Sequence, residues 1–324
     1  MRIYISADME GVTGLVDAHD VQPGGRDYER GRVMMTEDVN AAVRGALAAN
    51  RPALTGQVPA RQVTQVTVND AHGPMRNLLP DLLHPAADLI RGRPKPMGML
   101  EGLSGDFDAT VCIGYHARAG ALGVLSHSFM GHEIEDMWLD DRPAGEIGLV
   151  HATAAALGAP VIALSGDDAA CAEMTGWDPA VATVAVKRAR DRFAAELRPV
   201  TQARSAIEQS VADAVRAGAE LRPVTQARSA IEQSVADAVR AGDAVRAGDA
   251  VRAGPAPAVP GQDLHTLAVR WQSASVASQL AGVPGVRLRD SRTAEVSGAM
   301  PDLFRLLGVF FSVAAALTSQ PPYC

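Results

Sequence analysis

Apolar and β-branched residues cluster in short runs through the first 190 positions, and longer stretches of helical character separate them. Arg2–Ala7, Val63–Val68 and Asp108–Ile113 read as buried strands, each too short and too β-rich for a helix. Between the first two lies a helical stretch over Asp27–Ala49, then a loop over Asn50–Gln62 broken by Pro52, Gly56 and Pro59. Asp88–Arg91 adds a short strand and Met97–Leu103 a helical turn. Ala117–Gly145 lacks regular pattern and reads as a long functional loop. Glu146–Leu157 is an alanine-rich helix, Pro160–Leu164 a strand, Ala169–Thr175 a helix and Thr183–Lys187 a further strand. This alternation predicts an α/β fold, a mostly parallel sheet flanked by helices.

Beyond residue 190 the pattern changes. Ala195–Gly218 recurs letter for letter as Ala219–Gly242, and the hexapeptide DAVRAG follows twice more, at Asp243–Gly248 and Asp249–Gly254. Architectural repeats diverge while keeping their pattern, so a perfect copy with a six-residue stutter reads as sequence slippage without a catalytic role. After a Pro-rich hinge at Gly254–Gly261, strands are expected at Leu264–Trp271, Val286–Leu288 and Thr293–Val296, then a helix from Pro301. The chain therefore divides into a catalytic α/β domain (1–190), a helical segment with the duplication and linker (191–262) and a smaller α+β domain (263–324).

Composition narrows the function. With 47% hydrophobic residues among 324, the chain can bury a full core. A formal charge of -7 and 4% aromatics fit neither a nucleic-acid surface nor a base-stacking platform. Cys112, Cys171 and Cys324 are far apart, which excludes a disulfide framework and a thiolate zinc knuckle. The start shows no signal-peptide pattern, and Leu306–Leu317 is shorter than the ~20 residues of a membrane span. No membrane contact and a cytoplasmic location are expected.

The candidate chemistry sits where the strand runs stop: Asp8-Met9-Glu10, Asn69-Asp70-Ala71-His72 and Gly114-Tyr115-His116. Strand ends of an open α/β sheet share one crevice. Asp8 and Glu10, two apart on a strand, would share a face and repel unless a cation lay between them. Taken singly, Asp8 or Thr13 could cap a turn, each histidine could be a loop residue, and Glu146 could complement a helix N-terminus. Together, carboxylates and imidazoles from separate strand ends are the usual donors of a catalytic zinc or two-metal site. His127, in Ser126-His127-Ser128, could be a ligand, a proton carrier or a plain loop residue. Arg118 and Arg142 are the nearby basic residues a phosphoester substrate would need.

In order along the chain, Ser6-Ala7-Asp8-Met9-Glu10-Gly11, Asn69-Asp70-Ala71-His72, Gly114-Tyr115-His116-Ala117-Arg118, Ser126-His127-Ser128, Asp141-Arg142-Pro143-Ala144-Gly145-Glu146 and Ser165-Gly166-Asp167-Asp168 resemble the zinc-dependent D-aminopeptidase family, the DppA-type peptidases of family M55. The resemblance covers residues 1–190 and loosens from Leu264. It implies two zinc ions per subunit, with Asp8 bridging both, Glu10 and His72 completing one, and His116 and Glu146 the other. His127 matches the family's catalytic histidine. The implied reaction is removal of an N-terminal D-residue from short peptides of the D-Ala-D-Ala type by metal-activated water, in a ring-shaped homodecamer. Met130–Trp138 departs from the family pattern beside the site. Rival readings are a metal-dependent hydrolase of another small amide or a phosphoester, and an inactive metal-stabilised ring protein.

Overall fold

A computed structural model describes residues 1–51, 61–221 and 263–318. The second copy of the duplicated block beyond Leu221, the DAVRAG repeats, the Pro-rich hinge, most of the Asn50–Gln62 loop and Cys324 lie outside them.

The first sheet holds seven strands in the order β3-β2-β1-β4-β7-β8-β9. They are β1 (Arg2–Ala7), β2 (Gln65–Asp70), β3 (Ala87–Ile90), β4 (Ala109–Tyr115), β7 (Val161–Asp167), β8 (Ala182–Asp191) and β9 (Ala194–Leu197). All neighbours pair parallel except β8 with β9, which form a hairpin. Two-sided burial explains their continuous apolar runs. Ile3 and Ile5 pack toward α2 (Tyr28–Ala48) and α5 (Val200–Leu221), while Tyr4 and Tyr115 face the opposite layer. That layer contains α3 (Glu146–Ala156), α4 (Asp168–Trp177) and α7 (Met300–Thr318), among others. The α/β architecture expected from the sequence is the one observed.

From β1 the chain builds outward through β2 and β3, then returns to lay β4 on the other side of β1. Strand order therefore reverses between β1 and β4, and the crevice at their carboxyl ends is the natural ligand site of such a sheet.

The stretch expected to be an irregular loop, Ala117–Gly145, contains β5 (Ile134–Leu139) and β6 (Arg142–Pro143). Their partner is remote: β5 pairs antiparallel with β10 (Leu264–Trp271), which pairs with β12 (Thr293–Ala299) and through it with β11 (Arg287–Asp290). Ile134, Met137 and Leu139 are buried on this five-stranded sheet. A six-residue strand whose partner lies about 130 positions later has weak local pattern, which is why it escaped notice. The three-part division at residues 190 and 262 remains a proposal about chain segments, since in space β5 and β6 belong to the C-terminal sheet.

The final helix, α7, begins within one residue of the expected Pro301. Its 19 residues reach a mean hydropathy of 1.6, enough by length and composition alone to cross a membrane. One stripe (Leu303, Phe304, Leu307, Phe310, Phe311, Ala314) is buried in the core, as expected of a docked helix. A helical turn at Gly98–Leu100 and the short α1 (Ala18–Val21) and α6 (Ala274–Leu280) complete the elements among the described residues; α1 and α6 are each capped by a side chain, Asp17 and Ser273 respectively.

The crevice depends on a close backbone approach. Gly11 N–H donates to Gly114 O at 2.8 Å, and a Cβ at Gly11 would stand 1.9 Å from Tyr115 O. Gly114 has φ of +74°, and a Cβ there would lie 2.2 Å from Asp8 O. Two motif glycines thus let the loop after β1 lie directly on the end of β4. Gly11→Ala is expected to lower unfolding free energy by ~2 kcal/mol or more, because main chain and not a flexible side chain must move. Gly24→Ala, with nothing within 4 Å, should cost ~1 kcal/mol from its positive φ alone. Urea unfolding of the metal-free protein measures both.

Candidate metal centre

β1 ends at Ala7, so Asp8 and Glu10 do not share a strand face as expected; they sit on the turn that follows. The turn curls because Asp8 N–H donates to Ile113 O at 2.8 Å and Val12 N–H reaches back to Met9 O at 3.1 Å. Beneath it the buried Lys187 ammonium, from β8, donates to Glu10 O, Val12 O and Leu15 O at 2.6, 3.0 and 2.5 Å. Thr13 N–H donates to buried Asp38, which pairs with Arg204 of α5 at 3.0 Å. The Thr13 hydroxyl has no hydrogen-bond partner among the described residues and Asp8 Oδ1 faces His72, so neither side chain caps a turn.

His72 stands two residues past β2. Its neighbour Asp70 accepts from Asn77 N–H, Asn77 Nδ2 and Leu78 N–H at 2.6–2.7 Å. Asp70 shapes the loop and faces away from the cluster chemistry. His116 immediately follows β4, and Glu146 opens α3, its Oε1 accepting from Phe129 N–H at 2.6 Å.

The fold brings Asp8, Glu10, His72, His116, Glu146 and His127 to one place, nearly all buried. Donor atoms of Asp8, Glu10 and His72 lie within 4.8 Å of one another, and so do those of Asp8, His116 and Glu146. The two trios share Asp8. A third grouping, Glu10, His116 and His127, meets the same limit. His72 Nδ1 is 3.3 Å from Asp8 Oδ1 and 3.0 Å from Glu10 Oε2. His116 Nε2 is 3.5 Å from both Asp8 Oδ2 and Glu146 Oε1. Ligands about 2.0–2.1 Å from a tetrahedral zinc stand roughly 3.3–3.4 Å apart, so these spacings suit that ion. Asp8 Oδ2, Glu10 Oε2 and His116 Nε2 are buried without a hydrogen-bond partner, which a cation would supply. The donor set fits zinc.

Each imidazole is oriented by a main-chain carbonyl on its far nitrogen: His72 Nε2 on Val21 O (3.0 Å), His116 Nδ1 on Ala117 O (3.0 Å) and His127 Nδ1 on Leu125 O (2.9 Å). Donation there leaves the inward nitrogen able to take a metal or a proton. Leu125 has φ of +53° and Phe129 +52°, unfavourable for bulky residues, on either side of His127. Leu125 is held so by its carbonyl's bond to His127 and its own N–H, which donates to Arg192 O at 2.8 Å. The His127 ring stacks on His116 with centroids 4.2 Å apart, and its Nε2 lies 4.0 Å from Glu146 Oε1.

Three buried carboxylates in contact must share protons or a cation. Burial, then the charge of Glu10, raises Asp8 to about 7. Burial opposes charge on His72, yet the charge of Glu10 and the hydrogen-bonded Asp8 outweigh it and hold His72 well above its usual value. His116 is likewise raised against its burial, chiefly by Glu146. Burial lowers His127, and the His116 charge lowers it further, so His127 stays neutral. Metal-free, the cluster balances itself with protons on His72, His116 and part of Asp8.

The sequence reading missed Lys187, which holds the ligand turn, and Arg93 and Arg192, which line a cleft of about 660 Å³ beside Glu10, His72 and His127. A lone lysine ending the alternation Val184-Ala185-Val186-Lys187 was the available signal. Of the basic residues expected nearby, Arg118 faces Asp136 at 3.5 Å and Arg142 stacks on Trp177 at 3.6 Å. Both serve packing, so neither offers its charge to a phosphoester substrate.

Divalent zinc must displace the cluster's protons, so binding strengthens with rising pH. Each displaced proton weakens apparent affinity by about tenfold per pH unit below its titration. Calorimetric titration of the metal-free protein with Zn²⁺ should therefore show tighter binding at pH 8 than at 6.5, and heats that vary with the buffer's ionisation enthalpy. Identical affinity and no buffer dependence would mean that the cation binds elsewhere.

Comparison with known proteins agrees with this geometry. The family profile described as D-aminopeptidase, Peptidase_M55, matches residues 1–241. A D-aminopeptidase of Bacillus subtilis (strain 168) is 39% identical over 216 residues, covering 67% of this chain and 74% of that protein. The solved structure described as the Zn-dependent D-aminopeptidase DppA from Bacillus subtilis, a self-compartmentalizing protease, superposes with a TM-score of 0.76. Its sequence is 30% identical, and the match covers 97% of this chain and 98% of that one. The chain belongs to the D-aminopeptidase family, Peptidase_M55.

Proposed function

We propose that this protein is a two-zinc aminopeptidase that removes the N-terminal D-residue from short peptides of the D-Ala-D-Ala type. The observation that carries the proposal is the pair of donor trios sharing Asp8. In this reading Asp8, Glu10 and His72 would hold one ion, and Asp8, His116 and Glu146 the other. A zinc pair supplies Lewis acidity toward a scissile carbonyl and a water acidic enough to attack at neutral pH.

The chain's own groups supply the rest. His127, neutral and turned inward, would take a proton from the attacking water and pass it to the departing amine. The cleft beside it gives the peptide room, and Phe129 and Met99 close the inner end of the site away from solvent. Selection of D over L is inferred from family membership.

The solved relative's description as self-compartmentalizing, with near-complete coverage of both chains, supports a homo-oligomeric ring, which we take to be a decamer. The buried, unpaired Cys112 and Cys171, their thiols pushed up to about 12 by burial, suit a reducing cytoplasm.

Metal analysis with parallel assays on D-Ala-D-Ala, L-Ala-L-Ala and a generic phosphoester tests the reading. Zinc near two per chain and cleavage of the D-peptide alone are expected; metal-loaded protein that cleaves no peptide would sink it. His127→Ala should keep its zinc while kcat falls by about 100-fold or more, the usual range for a lost general acid. Loss of zinc in that variant would make His127 a ligand, and unchanged turnover would take it out of the mechanism.

A further inference from the structure

We propose that Arg192, at the tip of the β8–β9 hairpin, binds the C-terminal carboxylate of the peptide being cleaved, so that the site selects short peptides with a free acid end. The identity of the ligand rests on the aminopeptidase reading; its charge rests on the cleft.

The cleft of about 660 Å³ opens from Glu10, His72 and His127. Away from these residues its walls are mostly apolar, with Val21, Pro74 and Phe193 among them, and its charged side chains are Arg93 and Arg192. The far end of a ligand anchored at the metal side therefore meets positive charge and no carboxylate. Arg93 is tied back to Gly73 O, beside His72. A second cavity of about 300 Å³ touches His127 from its other side and is also lined by Arg192. The acid there, Glu135, is neutralised by Arg270 and Arg292 at 2.9 and 2.6 Å. Arg192 stands where the two cavities meet.

Its surroundings prepare it for an anion. Neighbouring Arg190 pairs with Glu196, and Asp191 accepts the Arg192 main-chain N–H at 2.5 Å. Among the described residues no carboxylate stands within ion-pair distance of the Arg192 guanidinium, which lies 5.4 Å from the centroid of the half-exposed Phe193 ring. The stacking restricts its rotamers. Arg192 O receives Leu125 N–H, and Leu125 O receives His127 Nδ1–H, so one short hydrogen-bonded path sets the spacing between the Arg192 main chain and the catalytic imidazole. A planar guanidinium rooted beside the site takes a carboxylate in two parallel hydrogen bonds, which a carboxamide cannot return in kind. A cleft of this volume holds only a few small residues. The acid end of a short peptide can reach the tip; that of a long chain must lie outside.

Zinc-loaded protein, wild type and R192Q, is assayed on D-Ala-D-Ala and on the same dipeptide with a C-terminal amide. Because Arg192 is exposed and screened, the acid is expected to show a KM about tenfold below the amide's, less than a buried ion pair would give. The difference should fall in KM, with kcat for the two peptides alike. R192Q should raise KM for the acid to the amide's level, and R192K should restore part of the gap; both keep the main-chain bond to Leu125. Equal KM for acid and amide in wild type, or an undiminished gap in R192Q, overturns the proposal. Should neither peptide be cleaved, the aminopeptidase reading fails on its own. Calorimetric binding of the two peptides to the zinc-loaded protein then decides the carboxylate site: acid preference lost in R192Q supports it, and equal or absent binding overturns it.

Discussion

Everything near the site follows from burying three carboxylates against one another. Asp8, Glu10 and Glu146 are each nearly shielded from water, and like charges so placed demand compensation. Imidazoles at 3.0–3.5 Å provide it when protonated, and a cation provides it better, because it satisfies oxygens and nitrogens that protons leave without partners. The same requirement explains the Lys187 ammonium beneath the turn. It satisfies three main-chain carbonyls and sets a fixed positive charge behind Glu10, while burial brings it down only to about 8, so it remains charged at neutral pH.

Topology turns that demand into a site. The reversal between β1 and β4 opens the crevice, and two glycines let the neighbouring backbones touch across it. The ligands then come from places that side-chain packing fixes independently: the turn after β1, the loop after β2, the end of β4 and the first residue of α3. Four separate supports hold the donors more rigidly than one loop could.

Much of this was legible from residues. Apolar runs that stop shortly before Asp8, His72 and His116 announced both the parallel sheet and the convergence of donors, because such runs fix strands and polar motifs just past their ends must face the crevice. The detail of Asp8 and Glu10 was not: period-two spacing suggested a shared strand face, whereas backbone contact with β4 ends the strand one residue earlier. Strands β5 and β6 were hidden because β5 pairs with the distant β10, a long-range choice made by tertiary packing, and the two-residue β6 only follows β5. Arg192 was hidden for a related reason. It lies at a hairpin tip outside any motif, and only the fold brings it beside His127.

The sewing of β5 to β10 also bears on how the enzyme is made. His127 and Glu146 flank β5 and β6, yet the strand that fixes those two is more than 120 positions downstream. On the ribosome, the strands bearing Asp8, His72 and His116 emerge early, while the segment bracketed by His127 and Glu146 must wait for the C-terminal sheet. Pairing of such high contact order is slow. A nascent or truncated chain can thus assemble one half of the ligand set without the other, and catalytic competence waits for β10 to emerge.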